Sequence, residues 1–156
     1  MAFIKVKNFF DHIGLGDRVK VFIDSSATVE LAAQAVGCDA KQIAKTLTFL
    51  VKEDPVMVVC AGNVKIDNSK FKAQFQEKAT MIPANMVEEY VGHNIGGVCP
   101  FVIKEGVEVY LDESLKANET IYPAAGDEHS AVELSLQELE QYSKAKMWID
   151  VCKEIM

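Results

Sequence analysis

Apolar and polar positions along this chain switch between a helical and a two-residue period, and the switches mark its elements. Between Phe3 and Ile13 the residues Ile4, Phe9, Phe10 and Ile13 approximate one face of an amphipathic helix, which Gly14-Leu15-Gly16 then stops. Val19 to Ile23 has strand composition and runs into the polar break Asp24-Ser25-Ser26. A second helix is predicted from Thr28 to Val36, burying Val29, Ala32, Ala33 and Val36, with Gly37 supplying a left-handed C-terminal cap. Asp39 caps a short turn to Ile43, with Gln42 in the reciprocal capping position, and Lys45 follows at once.

Thr46 to Val51 alternates, with β-branched and aromatic residues, and Val56 to Ala61 is a continuous apolar run across a short connection. Together they predict a hairpin at the centre of a sheet. Asp67-Asn68-Ser69 opens a third helix to Phe75, with Phe71 and Phe75 four residues apart on one face. Lys78 to Ile82 is expected as a short strand, and Pro83-Ala84 starts a brief helix to Tyr90. Residues 91–101 carry three glycines and a proline, the pattern of a loop with special backbone demands. Three further strands are expected at Val107–Leu111, Thr120–Ala124 and Ala131–Leu134, and Ser135-Leu136-Gln137-Glu138 opens a final helical region toward Cys152. Without repeat or linker, residues 1–156 read as a single α+β domain on a mixed sheet, whose strand order the pattern does not specify.

Composition narrows the function classes. No apolar run approaches the roughly 20 residues of a bilayer crossing, and residues 1–10 lack a secretory core, so a cytoplasmic location is expected. Cys38, Cys60, Cys99 and Cys152 are too far apart for a zinc knuckle, and His12, His93 and His129 form no metal set; no metal or cofactor is expected. The net charge of −7, from 16 Lys plus Arg against 23 Asp plus Glu, argues against a DNA-coating role and limits any RNA contact to a local one.

Three places could carry chemistry. Lys45, at the junction before a strand, could project an ammonium over a sheet edge to hold a carbonyl, a phosphate or a water, although solvated lysines also occupy such ends. Paired glycines at Gly96-Gly97, ahead of Val98-Cys99-Pro100-Phe101, let a backbone approach a ligand with its amides turned inward, or simply make a tight connection. Gly126 to Ser130 is a polar turn with His129, a group able to exchange a proton near neutrality or to sit idle at the surface. No nucleophilic triad, phosphate loop or dinucleotide fingerprint is present.

The order of these features resembles a known family. Ser26-Ala27-Thr28-Val29-Glu30, Ile43-Ala44-Lys45-Thr46-Leu47, Ala61 to Asp67, Gly96 to Phe101, Tyr110 to Ser114 and Ala125-Gly126 follow one another as in the YbaK/EbsC/ProX family, over about residues 19 to 140. Its members are free-standing relatives of the editing domain inserted in bacterial prolyl-tRNA synthetases. The resemblance implies a mixed, strongly curved β-sheet with flanking helices, and hydrolysis of the ester that joins a wrong small amino acid (Ala, Cys, Ser or Thr) to transfer RNA, with tRNA(Pro) the expected carrier. The lysine of the family's Ala-Lys-Thr motif maps onto Lys45, and the glycines before Pro-Phe map onto Gly96 and Gly97. Thr28, Thr46, Cys99, His129 and Ser130 are implied around the substrate. Water, helped by the neighbouring ribose hydroxyl, would attack; Lys45 would orient the ester or phosphate, and the glycine amides would receive the oxyanion. The implied partners are the acceptor end of mischarged tRNA and an aminoacyl-tRNA synthetase. A non-catalytic module that binds a nucleotide, an aminoacyl end or another protein remains the alternative.

Overall fold

A computed structural model describes residues 2–155. Its organising feature is the hairpin of β2 (Ile43–Val51) and β3 (Asp54–Ala61), antiparallel from Ala44↔Ala61 to Val51↔Asp54. Lys52 and Glu53 turn it with φ of 51° and 71°, the two left-handed residues that match the twist of the flanking strands. Around the hairpin a six-stranded mixed sheet curls in the order β8-β6-β2-β3-β5-β9. The added strands are β5 (Glu108–Asp112), β6 (Thr120–Pro123), β8 (Leu134–Ser135) and β9 (Met147–Ile149), with β6, β5 and β9 parallel to their inner neighbours. Two small antiparallel pairs flank it: β1 (Val19–Val21) with β7 (Ser130–Val132), and β4 (Val64–Ile66) with β10 (Cys152–Glu154).

Side-chain alternation sorts the core into two layers. Met57 and Val59 of β3 join Val6 and Phe10 of α1 (Ala2–His12), Val87 and Val91 of α4 (Val87–Val91) and Leu139 of α5 (Leu136–Ser143). Val58 and Cys60 point to the other face, where Phe71 and Phe75 of α3 (Asn68–Phe75) pack. The remaining helix, α2 (Val29–Val36), is capped by Gly37 in the left-handed region, φ 84°, as the sequence predicts, but buries only Ala32 fully.

Several expectations are corrected. Ile4 is 50% exposed, because the buried stripe of α1 runs through Phe3, Val6 and Phe10 and Ile4 lies roughly 120° from Phe10 around the helix. β1 ends at Val21 and leaves Ile23 outside. The segment Lys78–Ile82 forms no strand beyond one bridge, Phe49↔Met81. α5 stops at Ser143, with Lys144 left-handed, and the chain then returns as β9 and β10 instead of continuing helically toward Cys152. β2 starts at Ile43, three residues earlier than Thr46, because Ala44 pairs with Ala61 on one side and Pro123 on the other. Lys45 is therefore inside a strand, not at a junction. Among the described residues no helix is long and apolar enough to cross a membrane.

Candidate functional site

The edge of β2 that faces β6 is interrupted. Ladder contact with β6 covers only Ile43 and Ala44. Pairing resumes at Thr48, whose carbonyl accepts from the Ile82 amide at 3.1 Å, and at Leu50, whose amide donates to Thr80 at 2.9 Å. Even-numbered residues of β2 thus turn their main chain to this edge, and Thr46, between the two paired stretches, meets no main-chain partner there among the described residues. Its side-chain oxygen is also buried without a hydrogen-bond partner.

Over this gap lies a cavity of about 420 Å³, within the range that binds small molecules. The start of α2 supplies Ala27 and Thr28; Ile95 and Gly96 of the glycine loop and Met81 frame it further, while Tyr122 and Ser130 close the far side. Among the described residues Lys45 is the one charged residue that lines it. Lys45 leaves β2 on the face shared by Leu47 and Phe49, half-buried, and its ammonium donates to the Val64 carbonyl of β4. An ammonium has three donors, so two remain for a ligand.

The other residues anticipated from sequence fall into two groups. Lys45, Gly96, Thr28, Thr46 and Ser130 line this one cavity. Thr28 also caps α2, its hydroxyl accepting from the Leu31 amide at 3.2 Å. Ser130 is buried and donates to Asp127 Oδ1 at 2.7 Å. Gly96, with φ 90°, occupies the left-handed region that glycine adopts without strain.

Gly97, Cys99 and His129 do not line the cavity. Gly97 presses on the 126–127 turn so closely that a Cβ would sit 2.4 Å from the Asp127 amide, and its own amide donates to the Asn94 carbonyl at 3.1 Å. The expected pair of free inward amides is therefore reduced, since that of Gly97 is committed to its turn. Cys99 is fully buried in the core, 3.6 Å from His93 Nε2, and burial pushes its thiol up to about 12. His129 swings outward to the Asp24 carbonyl, 3.2 Å from Nδ1. Among the described residues no group of three or more His, Cys, Asp or Glu is placed to hold a metal.

Sequence reasoning missed Thr48 and Tyr122 on the cavity wall. Thr48 was findable, because it shares the strand parity of Thr46; Tyr122 was not, because the β2–β6 neighbourhood joins segments almost eighty residues apart. His93 also went unweighted. It is buried, with Nε2 donating to the Phe101 carbonyl at 2.7 Å and Nδ1 unpartnered, and it ties together the two ends of the glycine loop. Burial, with Lys5 adding, holds its imidazole below the ordinary value.

Comparison with known proteins places the fold and the family. The profile of the aminoacyl-tRNA editing domain matches residues 14–142. The uncharacterized protein YwhH of Bacillus subtilis (strain 168) is 46% identical over 155 residues, 99% of each chain. The proline–tRNA ligase of Limosilactobacillus fermentum is 31% identical over 107 residues, which are 65% of this chain but 19% of the ligase, so the likeness covers about a fifth of that enzyme. A crystal structure described as a proposed trans-editing enzyme for prolyl tRNA synthetase superposes with a TM-score of 0.86 at 25% identity, over 97% of both chains. The chain belongs to the aminoacyl-tRNA editing domain family, related to the domain inserted in prolyl-tRNA synthetases.

Proposed function

We propose that this protein, acting as one domain in the cytoplasm, removes a wrongly attached small amino acid from transfer RNA, with tRNA(Pro) as the first carrier to test. The observation that carries the reading is the cavity over the β2 gap: mostly apolar, of small-molecule size, and lined by one charged residue among those described, Lys45. Among the described residues no carboxylate or imidazole lines it, which suits a reaction that needs positioning more than a protein base. Water adds to the ester carbonyl, with the neighbouring ribose hydroxyl taking part in the proton transfer. The acyl C–O bond then breaks, and the ribose oxygen leaves with a proton. Lys45 Nζ, steadied by the Val64 carbonyl, holds the ester or the terminal phosphate with its remaining donors.

Apolar walls discriminate by only about 1–3 kcal/mol per methylene, so the cavity suits Ala, Cys, Ser and Thr as a class. Recognition of the acceptor end, alone or with a synthetase, fits a chain of net charge −7, which has few positive charges for the body of the RNA. The test is hydrolysis of Ala-, Cys-, Ser- and Thr-tRNA(Pro) by the purified chain and by Lys45→Ala. Turnover of at least one substrate that disappears in the variant is expected. No turnover on any of the four, with RNA affinity retained, would replace the enzyme by a binding module.

A further inference from the structure

The interrupted edge of β2 offers more than a wall. An extended residue turns its N–H and C=O to the same side of the strand, and in a sheet both are taken by the neighbouring strand. At Thr46 neither is taken among the described residues: β6 has ended at the level of Ala44, and the 80–82 segment begins at Thr48. Thr46 lines the cavity, and its main-chain donor and acceptor are therefore left without a ladder partner there among the described residues, while its hydroxyl is buried beside them without one. A donor and an acceptor left unpaired on one edge residue are complementary to a ligand that brings the matching acceptor and donor.

We infer that Thr46 binds the α-aminoacyl group through its main chain, as a one-residue strand pairing: its N–H donates to the acyl carbonyl oxygen and its C=O accepts from the α-ammonium. This rests on the deacylase reading. An α-aminoacyl ester carries an acceptor and a donor on adjacent carbons, the complement of an extended residue, and peptides that add a strand to a sheet edge use the same bonds. The contact reads the feature common to all amino acids and leaves the side chain to the apolar walls, so one site accepts several small residues yet requires the amino group. It also places a donor on the oxygen that becomes the oxyanion, a role for which the Gly97 amide, bound to Asn94, is not free.

Two measurements on the full chain test it. The first compares an RNA minihelix esterified with alanine against the same RNA esterified with propionate, each enzymatic rate divided by its spontaneous hydrolysis. Loss of the α-ammonium is expected to lower the normalised rate about 100-fold, as removal of one charge-assisted bond does. The second follows the Thr46 amide by 15N–1H NMR while 3′-alanylamido-3′-deoxyadenosine, a stable amide analogue, is added; the Thr46 resonance is expected to move downfield with saturation.

Variants supply a further arm. Thr46→Val keeps the main chain and should fall less than about tenfold, whereas Thr46→Pro deletes the N–H at an edge where no ladder bond is lost and should fall about 100-fold. If Thr46→Pro does not fold, the NMR titration decides. Equal normalised rates for alanyl and propionyl RNA, or a saturated complex in which the Thr46 amide stays still, overturn the inference while Lys45-dependent turnover keeps the deacylase reading. No hydrolysis of any aminoacyl RNA together with no binding of the analogue overturns both.

Discussion

The ammonium of Lys45 in β2 and the carbonyl of Val64 in β4, nineteen residues apart in sequence, are hydrogen-bonded to each other. The contact ties the side chain of Lys45, the one charged residue lining the cavity among the described residues, to β4. Because the bond is to a backbone carbonyl and not to a carboxylate, the positive charge is not neutralised, and it remains available to an ester oxygen or a phosphate.

That arrangement predicts a separation between activity and stability. Lys45→Ala should reduce single-turnover deacylation by about 100-fold or more, since a misplaced substrate forfeits orientation, while unfolding changes by about 1 kcal/mol, the worth of one net hydrogen bond. Parallel kinetics and urea melts check this; an active variant, or one whose loss follows from unfolding, contradicts it.

The two glycines should fail for different reasons. Gly97→Ala would place a Cβ 2.4 Å from the Asp127 amide, an overlap with backbone that costs about 1–3 kcal/mol or more as the 126–127 turn is displaced. At Gly96 the nearest atoms are 3.5 Å away, so Gly96→Ala carries only the left-handed strain of φ 90°, roughly 1–2 kcal/mol. Thermal unfolding should rank Gly97→Ala as the less stable variant.

Thr28 should behave as a cap as well as a wall. Thr28→Ala removes the acceptor for the Leu31 amide and should cost about 1 kcal/mol, with a parallel fall in activity as the start of α2 loosens at the cavity. Thr28→Ser keeps the cap and should keep most of the stability. An alanine variant as stable as the serine one would remove the capping role.

His93 should make stability fall on mild acidification. Its imidazole is held below the ordinary value of about 6.5 by burial and by Lys5, so the unfolded chain takes up a proton before the folded chain does. Stability is therefore full above about pH 6.5 and declines as pH falls from there, levelling once the folded imidazole is protonated too. Urea midpoints at pH 7.5 and 5.5 should differ for the parent and differ less for His93→Gln, which retains a donor for the Phe101 carbonyl. An equal drop in both proteins would assign the effect to other groups.

Much of this protein was written in local pattern. The capping boxes at Asp39/Gln42 and Ser135/Glu138, the Gly37 cap and the β2–β3 hairpin follow from neighbours in sequence, because each rests on hydrogen bonds or side-chain periods a few residues long. Order along the chain also carried the family resemblance and, with it, Lys45 and Gly96. What only the folded chain decided is which distant segments become neighbours. β4 pairs with β10 across more than eighty residues, and its carbonyl is what meets Lys45. The gap at Thr46 exists because β6 ends and the 80–82 segment begins at different levels of one strand. A missing ladder partner is a property of two other segments and leaves no mark on the residue that lacks it. For the same reason Cys99 and His129, close in sequence to residues of the site, turn away from it: side-chain direction is set by what packs behind the loop, not by distance along the chain.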